Sequence, residues 1–214
     1  MLLGRNGVAR HREIARSDHR KGDMLAVRIH GRGGQGVVSG AELLSVAAFN
    51  GGRHAQAFPS FGSERMGAPV MAFCRIDTQP IRLREPVLEP DALIIQDPTL
   101  LHQVDLFAGL HDGGLVLINS TRDVSELGLA DWLVERHHYK VLVVPATEIA
   151  LKHVGRAVPN VPLLAAFAAV TGSVTIDAIV HAIEDKFPAK IAASNVAAAR
   201  EAYALVKSRE VQHA

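Results

Sequence analysis

Six residues, Gly31-Arg32-Gly33-Gly34-Gln35-Gly36, constrain what this chain can fold into more than any others. They fit G-x-G-x-x-G, a pattern in which missing side chains let the backbone turn tightly and approach a phosphate. Ahead of them Met24-Leu25-Ala26-Val27-Arg28-Ile29-His30 reads as a strand. Behind them Val37 to Asn50 reads as a helix, stopped by Gly51-Gly52. Strand, glycine turn and helix in that order make the first arm of a βαβ unit.

The rest of the chain repeats the alternation. Strand-like segments fall at 25–30, 53–58, 69–76, 92–96, 115–119 and 140–145. Ala92-Leu93-Ile94-Ile95 is apolar at every position, as expected of a strand covered on both faces in a parallel sheet. Asp97-Pro98 and Asn119-Ser120 close two strands with turn chemistry. Past Pro159 the texture becomes helical. Ile176, Ile179, Val180, Ile183 and Phe187 share one face of a helix over 175–187, which Pro188 ends. Ile191, Asn195, Ala198, Ala202 and Leu205 form a stripe on a final helix over 189–207, suited to a lid on the sheet or to a subunit interface.

The fold class expected is therefore α/β: an open, mostly parallel, Rossmann-like sheet with helices on both faces and a C-terminal helical layer. Residues 24–207 form the domain and 208–214 a tail. Residues 1–23 carry Arg5, Arg10, Arg12, Arg16, Arg20 and Lys21 against Glu13, Asp18 and Asp23. They are expected to be a flexible or loosely docked extension, with an arm gripping a partner subunit as the alternative.

Composition removes several function classes. With 214 residues, 48% of them apolar, the chain can bury a real core. A net charge of +1 gives no electrostatic case for nucleic acid, and two Tyr with one Trp make no stacking platform. The longest apolar runs, Leu115 to Ile118 and Val141 to Val144, are far too short to cross a bilayer, and no signal peptide is evident. A cytoplasmic location is the expectation. The lone Cys74 cannot hold an iron–sulfur cluster, which takes about four thiolates, so any clusters belong to another chain. Eleven histidines are present, but His137 and His138 are adjacent and so face different ways, no His-x-x-x-His pairing with a carboxylate supports a zinc site, and no metal site is expected.

The glycine loop has two readings. In a dinucleotide-binding unit the second strand ends in an acid about twenty residues on, which holds the ribose hydroxyls. Arg53-His54-Ala55-Gln56-Ala57-Phe58 carries none, which counts against NAD; Arg53 and His54 could suit a phosphate or equally be solvated edge residues. No Gly-Lys-Ser/Thr follows, so nucleotide hydrolysis is unsupported. The glycines could serve only close helix–sheet packing. Gln35 and Ser39, at the first turn of a helix whose amides face the loop, favour an anionic or polar ligand.

A second constellation is Phe58-Pro59-Ser60-Phe61-Gly62-Ser63-Glu64-Arg65-Met66-Gly67-Ala68-Pro69. Two aromatics, two prolines, two glycines and a Glu-Arg pair are more chemistry than a simple connection needs. The loop leaves the carboxyl end of the second strand, beside the glycine loop, where α/β sheets bind ligands. An internal salt bridge in a rigid turn is the plainer alternative.

Together these segments resemble the gamma subunit or domain of the 2-oxoacid:acceptor (pyruvate:ferredoxin-type) oxidoreductases. The likeness extends through Phe73-Cys74-Arg75-Ile76, Glu89-Pro90-Asp91, Asp97-Pro98-Thr99-Leu100, Asn160-Val161-Pro162-Leu163-Leu164-Ala165-Ala166-Phe167 and Phe187-Pro188-Ala189-Lys190, about 24–205 in all. Two positions depart from the family's habit: Met66 stands where a second arginine is usual, and Ala165 where glycine is usual. The resemblance implies an enzyme that oxidatively decarboxylates a 2-oxoacid to an acyl-coenzyme A and passes electrons to ferredoxin or another acceptor. It implies thiamine diphosphate and iron–sulfur clusters held by alpha, beta and iron–sulfur subunits, none by this chain. This chain would be inactive alone, supporting assembly and the coenzyme A region. The residues expected at that region are Gly31, Gly33, Gly34, Gln35 and Gly36 as a backbone cradle, with Ser60, Glu64 and Arg65 beside it; none is assigned a catalytic role. A free-standing NAD(P)-dependent Rossmann reductase and a non-catalytic interaction module are the rival readings.

Overall fold

The apolar runs assemble into one six-stranded sheet in the order β2-β3-β1-β4-β5-β6. The computed structural model describes residues 24–60, 66–135 and 138–212. The strands are β1 (Leu25–Arg32), β2 (His54–Pro59), β3 (Pro69–Asp77), β4 (Ala92–Ile95), β5 (Leu115–Asn119) and β6 (Lys140–Val144). β1, β4, β5 and β6 pair in parallel, while β3 runs antiparallel to both β1 and β2. The sheet is thus mostly parallel with one reversed strand.

That strand changes one sequence expectation. Helix α1 (Val37–Asn50) carries the chain from β1 to β2, but β2 is not the neighbour of β1. The hairpin β2–β3 folds β3 back into the place beside β1. Arg53 and His54 therefore stand at the opposite edge of the sheet from the glycine loop, a strand length of roughly 20 Å away. They cannot share a phosphate with it.

The two faces are covered unequally. Val27, Ile29, Ile94 and Leu117 point into a core shared with α1 and with α3 (Ala146–Val154), α4 (Asn160–Thr171), α5 (Ile176–Lys186) and α6 (Ala189–Gln212). Leu93, Ile95, Val116 and Ile118 point the other way. They are covered by Leu100, Leu106, Leu110, Leu127 and Leu129, from a short 3₁₀ helix (Pro98–His102) and irregular segments, with Trp132 of α2 (Ala130–Glu135) beside them. Burial on both faces explains why these strands carry apolar residues at every position.

Helix α4 is buried from Asn160 to Ala169, because it lies between the sheet and α6. A helix apolar all round requires such a place. On α6 the buried stripe is Ala192, Asn195, Ala198, Ala199, Ala202 and Val206. Ile191, expected inside, is 47% exposed: the interface is rotated toward the next residue at the start of the helix. The alanine stripe is used within the chain, against α4, and the helix continues past the expected end at 207 to Gln212.

Candidate functional site

β1 leaves through α1 to one side of the sheet and β4 continues to the other, so a crevice opens between their carboxyl ends. This is the switch point at which open α/β sheets bind ligands. The glycine loop lies there. Its first two residues are still strand: Gly31 pairs with Val70 and Arg32 with Pro69. Gly33 bridges Met66, its amide donating to the Ala68 carbonyl at 2.9 Å and its carbonyl accepting from the Gly67 amide at 3.1 Å. Gly34 and Gly36 then adopt φ of 96° and 75°, the left-handed region, and Gly36 caps α1. A Cβ on Gly31 would stand 2.7 Å from Val37 Cγ2; one on Gly36 would stand 2.5 Å from Asn160 Nδ2. Close packing, one of the two readings, is therefore realised. The first-turn amides of α1 remain without intrahelical acceptors, as at any helix start.

Gln35 is bonded within the loop. β4 pairs with β1 only as far as His30, so Arg32 has no strand partner on that side. Gln35 takes the place of one: its Oε1 accepts the Arg32 amide proton at 2.8 Å and its own amide donates to the Arg32 carbonyl at 3.0 Å. Its Nε2 donates to Asp97 Oδ2 at 2.9 Å. Asp97 also receives Arg32 Nε at 3.1 Å and caps the 3₁₀ helix through Thr99 N and Oγ1 at 3.0 and 2.6 Å. Burial alone would raise the Asp97 carboxyl, but hydrogen bonds from Thr99 and Gln35 and the Arg32 charge outweigh it and hold it below the ordinary carboxylate value.

The second constellation meets the first here. Ser60 follows the end of β2, its amide donating to Met71 O at 2.8 Å. It shares the carboxyl edge with the glycine loop, two strand spacings or about 10 Å away. Phe58 packs on Phe73 with ring centroids 5.2 Å apart, under the Arg75 guanidinium. Glu64 and Arg65 lie outside the described residues.

Several residues at this edge carry no site role in the sequence analysis. Asn119 donates to Gln96 O and Thr147 Oγ1, both at 2.8 Å, and accepts from Thr147 N, tying β4, β5 and α3 together. Gln96 is buried, its Oε1 without a partner among the described residues, and Asn160 donates to the Gly36 carbonyl at 3.2 Å. Asp97 had a legible signal: an acid before proline with threonine two residues on is a helix N-cap. Gln96 had none, and Asn160 stood only in one of the segments that carry the family resemblance. Beyond β5 and β6, Ser120, Thr121, Arg122, Glu148 and Arg209 help to line a cavity of about 320 Å³.

Likeness to known proteins agrees with this geometry. A family profile described as pyruvate ferredoxin/flavodoxin oxidoreductase matches residues 26–205. The chain belongs to this family. The pyruvate synthase subunit PorC of Methanothermobacter thermautotrophicus is 45% identical over 188 residues, covering 88% of this chain and 99% of that one. The common gamma subunit of the pyruvate/ketoisovalerate oxidoreductases of Pyrococcus furiosus is 46% identical over 180 residues, 84% of this chain and 96% of that one. Among solved structures, the pyruvate oxidoreductase subunit PORC of Thermotoga maritima superimposes with a TM-score of 0.70 at 36% identity, covering 85% of this chain and 96% of that one.

Met66, where the resemblance expects a second arginine, falls at the rim of the glycine loop. The side chain is 87% exposed and lies over Gly34, its Cε 3.1 Å from where a Cβ there would stand. Cys74 does not fit a cluster ligand. It is the chain's single cysteine, buried in β3, and burial pushes its thiol up to about 12. Among the described residues no group of three or more His, Cys, Asp or Glu could hold a metal ion, and no helix is long and apolar enough to cross a membrane.

Proposed function

We propose that this chain is the gamma subunit of a CoA-acylating 2-oxoacid:acceptor oxidoreductase, and that it presents the carboxyl edge around the glycine loop to coenzyme A. One observation carries the reading: two segments more than thirty residues apart, the glycine loop and the 58–69 loop, are stitched together by backbone at the switch point of the sheet. The kinship to pyruvate synthase and pyruvate/ketoisovalerate oxidoreductase subunits supports it.

In this role the chain takes no chemical step itself. Thiamine diphosphate and iron–sulfur clusters belong to the alpha, beta and iron–sulfur subunits, and electrons leave to ferredoxin or another acceptor. Coenzyme A, when bound, supplies the thiol that receives the acyl group. The first-turn amides of α1 suit its phosphates, since they carry the positive end of the helix dipole. Ser60, Glu64 and Arg65 are assigned to the same interface. Gly33 and Gln35, already bonded within the loop, shape the turn. A free-standing NAD(P) reductase is disfavoured, because the strand beside β1 is an antiparallel one from a hairpin and the βαβ dinucleotide unit is broken.

Purification of the native protein tests the assignment. The expected result is co-elution with a thiamine-binding chain and a brown iron–sulfur chain, in a complex whose 2-oxoacid oxidation requires coenzyme A. A colourless, stable monomer that binds NADH would overturn it.

A further inference from the structure

Arg32 occupies the variable position inside the G-x-G turn, and its guanidinium is the most heavily engaged group at the carboxyl edge. Nε meets Asp97 Oδ2 at 3.1 Å, Nη1 donates to the Gly67 carbonyl at 3.0 Å, and Nη2 donates to Thr99 Oγ1 and Gln103 Oε1, both at 2.8 Å. Three of these partners sit in or beside the 3₁₀ helix after β4; the fourth belongs to the loop between β2 and β3. The Arg32 and Asp97 side chains are only 22% and 13% exposed, so the pair is shielded more than a surface ion pair.

Among the described residues, little else holds the loop end that Arg32 grips. Met66 is 87% exposed, and a Cβ on Gly67 would meet nothing within 4 Å. Among the described residues, apart from the Gly33 backbone bonds, the Gly67 carbonyl contact is what ties residues 66–68 down. It is also a contact that only a planar fork can make while still reaching Asp97, Thr99 and Gln103, because a lysine offers one ammonium point.

We propose that Arg32 is a positioning residue. It latches residues 66–68, the C-terminal end of the 58–69 loop, to Asp97 at the end of β4, and so fixes where that loop end stands relative to the glycine turn. The consequence for catalysis rests on the reading that this edge faces coenzyme A; the latch itself does not.

The test uses the assembled complex with Arg32→Gln and Arg32→Lys, with Gln103→Ala as a milder variant and Lys186→Gln, which removes a surface pair with Glu42, as control. Hydrogen exchange at the Gly33 and Gly67 amides should quicken on the order of tenfold in both Arg32 variants and less in Gln103→Ala, as local opening becomes easier. Amides of β4 and β5 should keep their protection. The KM for coenzyme A should rise several-fold with kcat within about twofold, the pattern of a lost binding contact, and lysine should not rescue it. Unchanged exchange at Gly33 and Gly67, or full rescue by lysine, overturns the latch. Faster exchange with an unmoved KM keeps the latch and removes coenzyme A from this edge.

Discussion

His30 lies at the carboxyl end of β1, between Met71 and Ile95 on the neighbouring strands, with Nε2 buried and without a hydrogen-bond partner among the described residues. Burial first, and the Arg28 charge second, lower its pKa from 6.5 to about 3. A histidine depressed in the fold binds its proton in the unfolded chain first. Stability is therefore lost as pH falls below about 6.5, by up to about 1.4 kcal/mol per pH unit, until the folded pKa is reached. Replacing His30 with Gln removes this linkage. Between pH 7 and pH 5 the wild type should lose about 2 kcal/mol more stability than His30→Gln, read from urea midpoints at each pH. Parallel pH curves would sink the assignment. Arg28 itself bonds four carbonyls, those of Val87, Leu88, Leu106 and Ala108, and thereby pins two irregular segments to the sheet.

At the scale of elements, the α4–α6 contact depends on small side chains. Ala198, Ala199 and Ala202 are wholly buried there, and alanine lets two helix backbones approach closely enough to exclude water. Ala202→Leu forces extra methylenes into this contact and should cost about 1–3 kcal/mol in urea denaturation. Ala193→Leu, on the exposed side of the same helix, should stay within about 0.5 kcal/mol. Equal effects would mean that α6 is not packed by this face. The helical spacing of α5 was read correctly, since Ile179, Val180 and Ile183 are buried. On α6 the same method named Ile191, which is exposed. An alanine-rich helix has weak contrast between its faces, so a rotation of one residue leaves little trace in the pattern.

At the scale of the molecule, the two larger apolar clusters among the described residues share one sheet: the helical layer on one face, the leucine cluster with Trp132 beside it on the other. Because β4 and β5 feed both clusters, neither can unfold while the other keeps its strands. Trp132 fluorescence and far-UV circular dichroism should give a single coincident transition on urea unfolding of the chain. A fluorescence change that precedes the loss of helix would show the two faces to be separate units.

The sequence by itself determined the elements and their class. Strand cores that are apolar at every position demand cover on both faces, and a glycine turn between strand and helix demands a βα unit. The resemblance carried by 31–38 and 58–70 pointed to the family. Only the tertiary structure decided strand order, because nothing local to Pro69–Asp77 says that it will fold back between β1 and β2. That insertion places the 58–69 loop against Gly33 and Arg53 at the far edge. It also decided what the glycine loop does with its own polar groups. Gln35 reads from the sequence as part of a backbone cradle; with β4 ended at Ile95, its side chain takes up the Arg32 amide and Asp97. A side chain's partner depends on which strand has run out beside it, and that is a property of the assembled sheet.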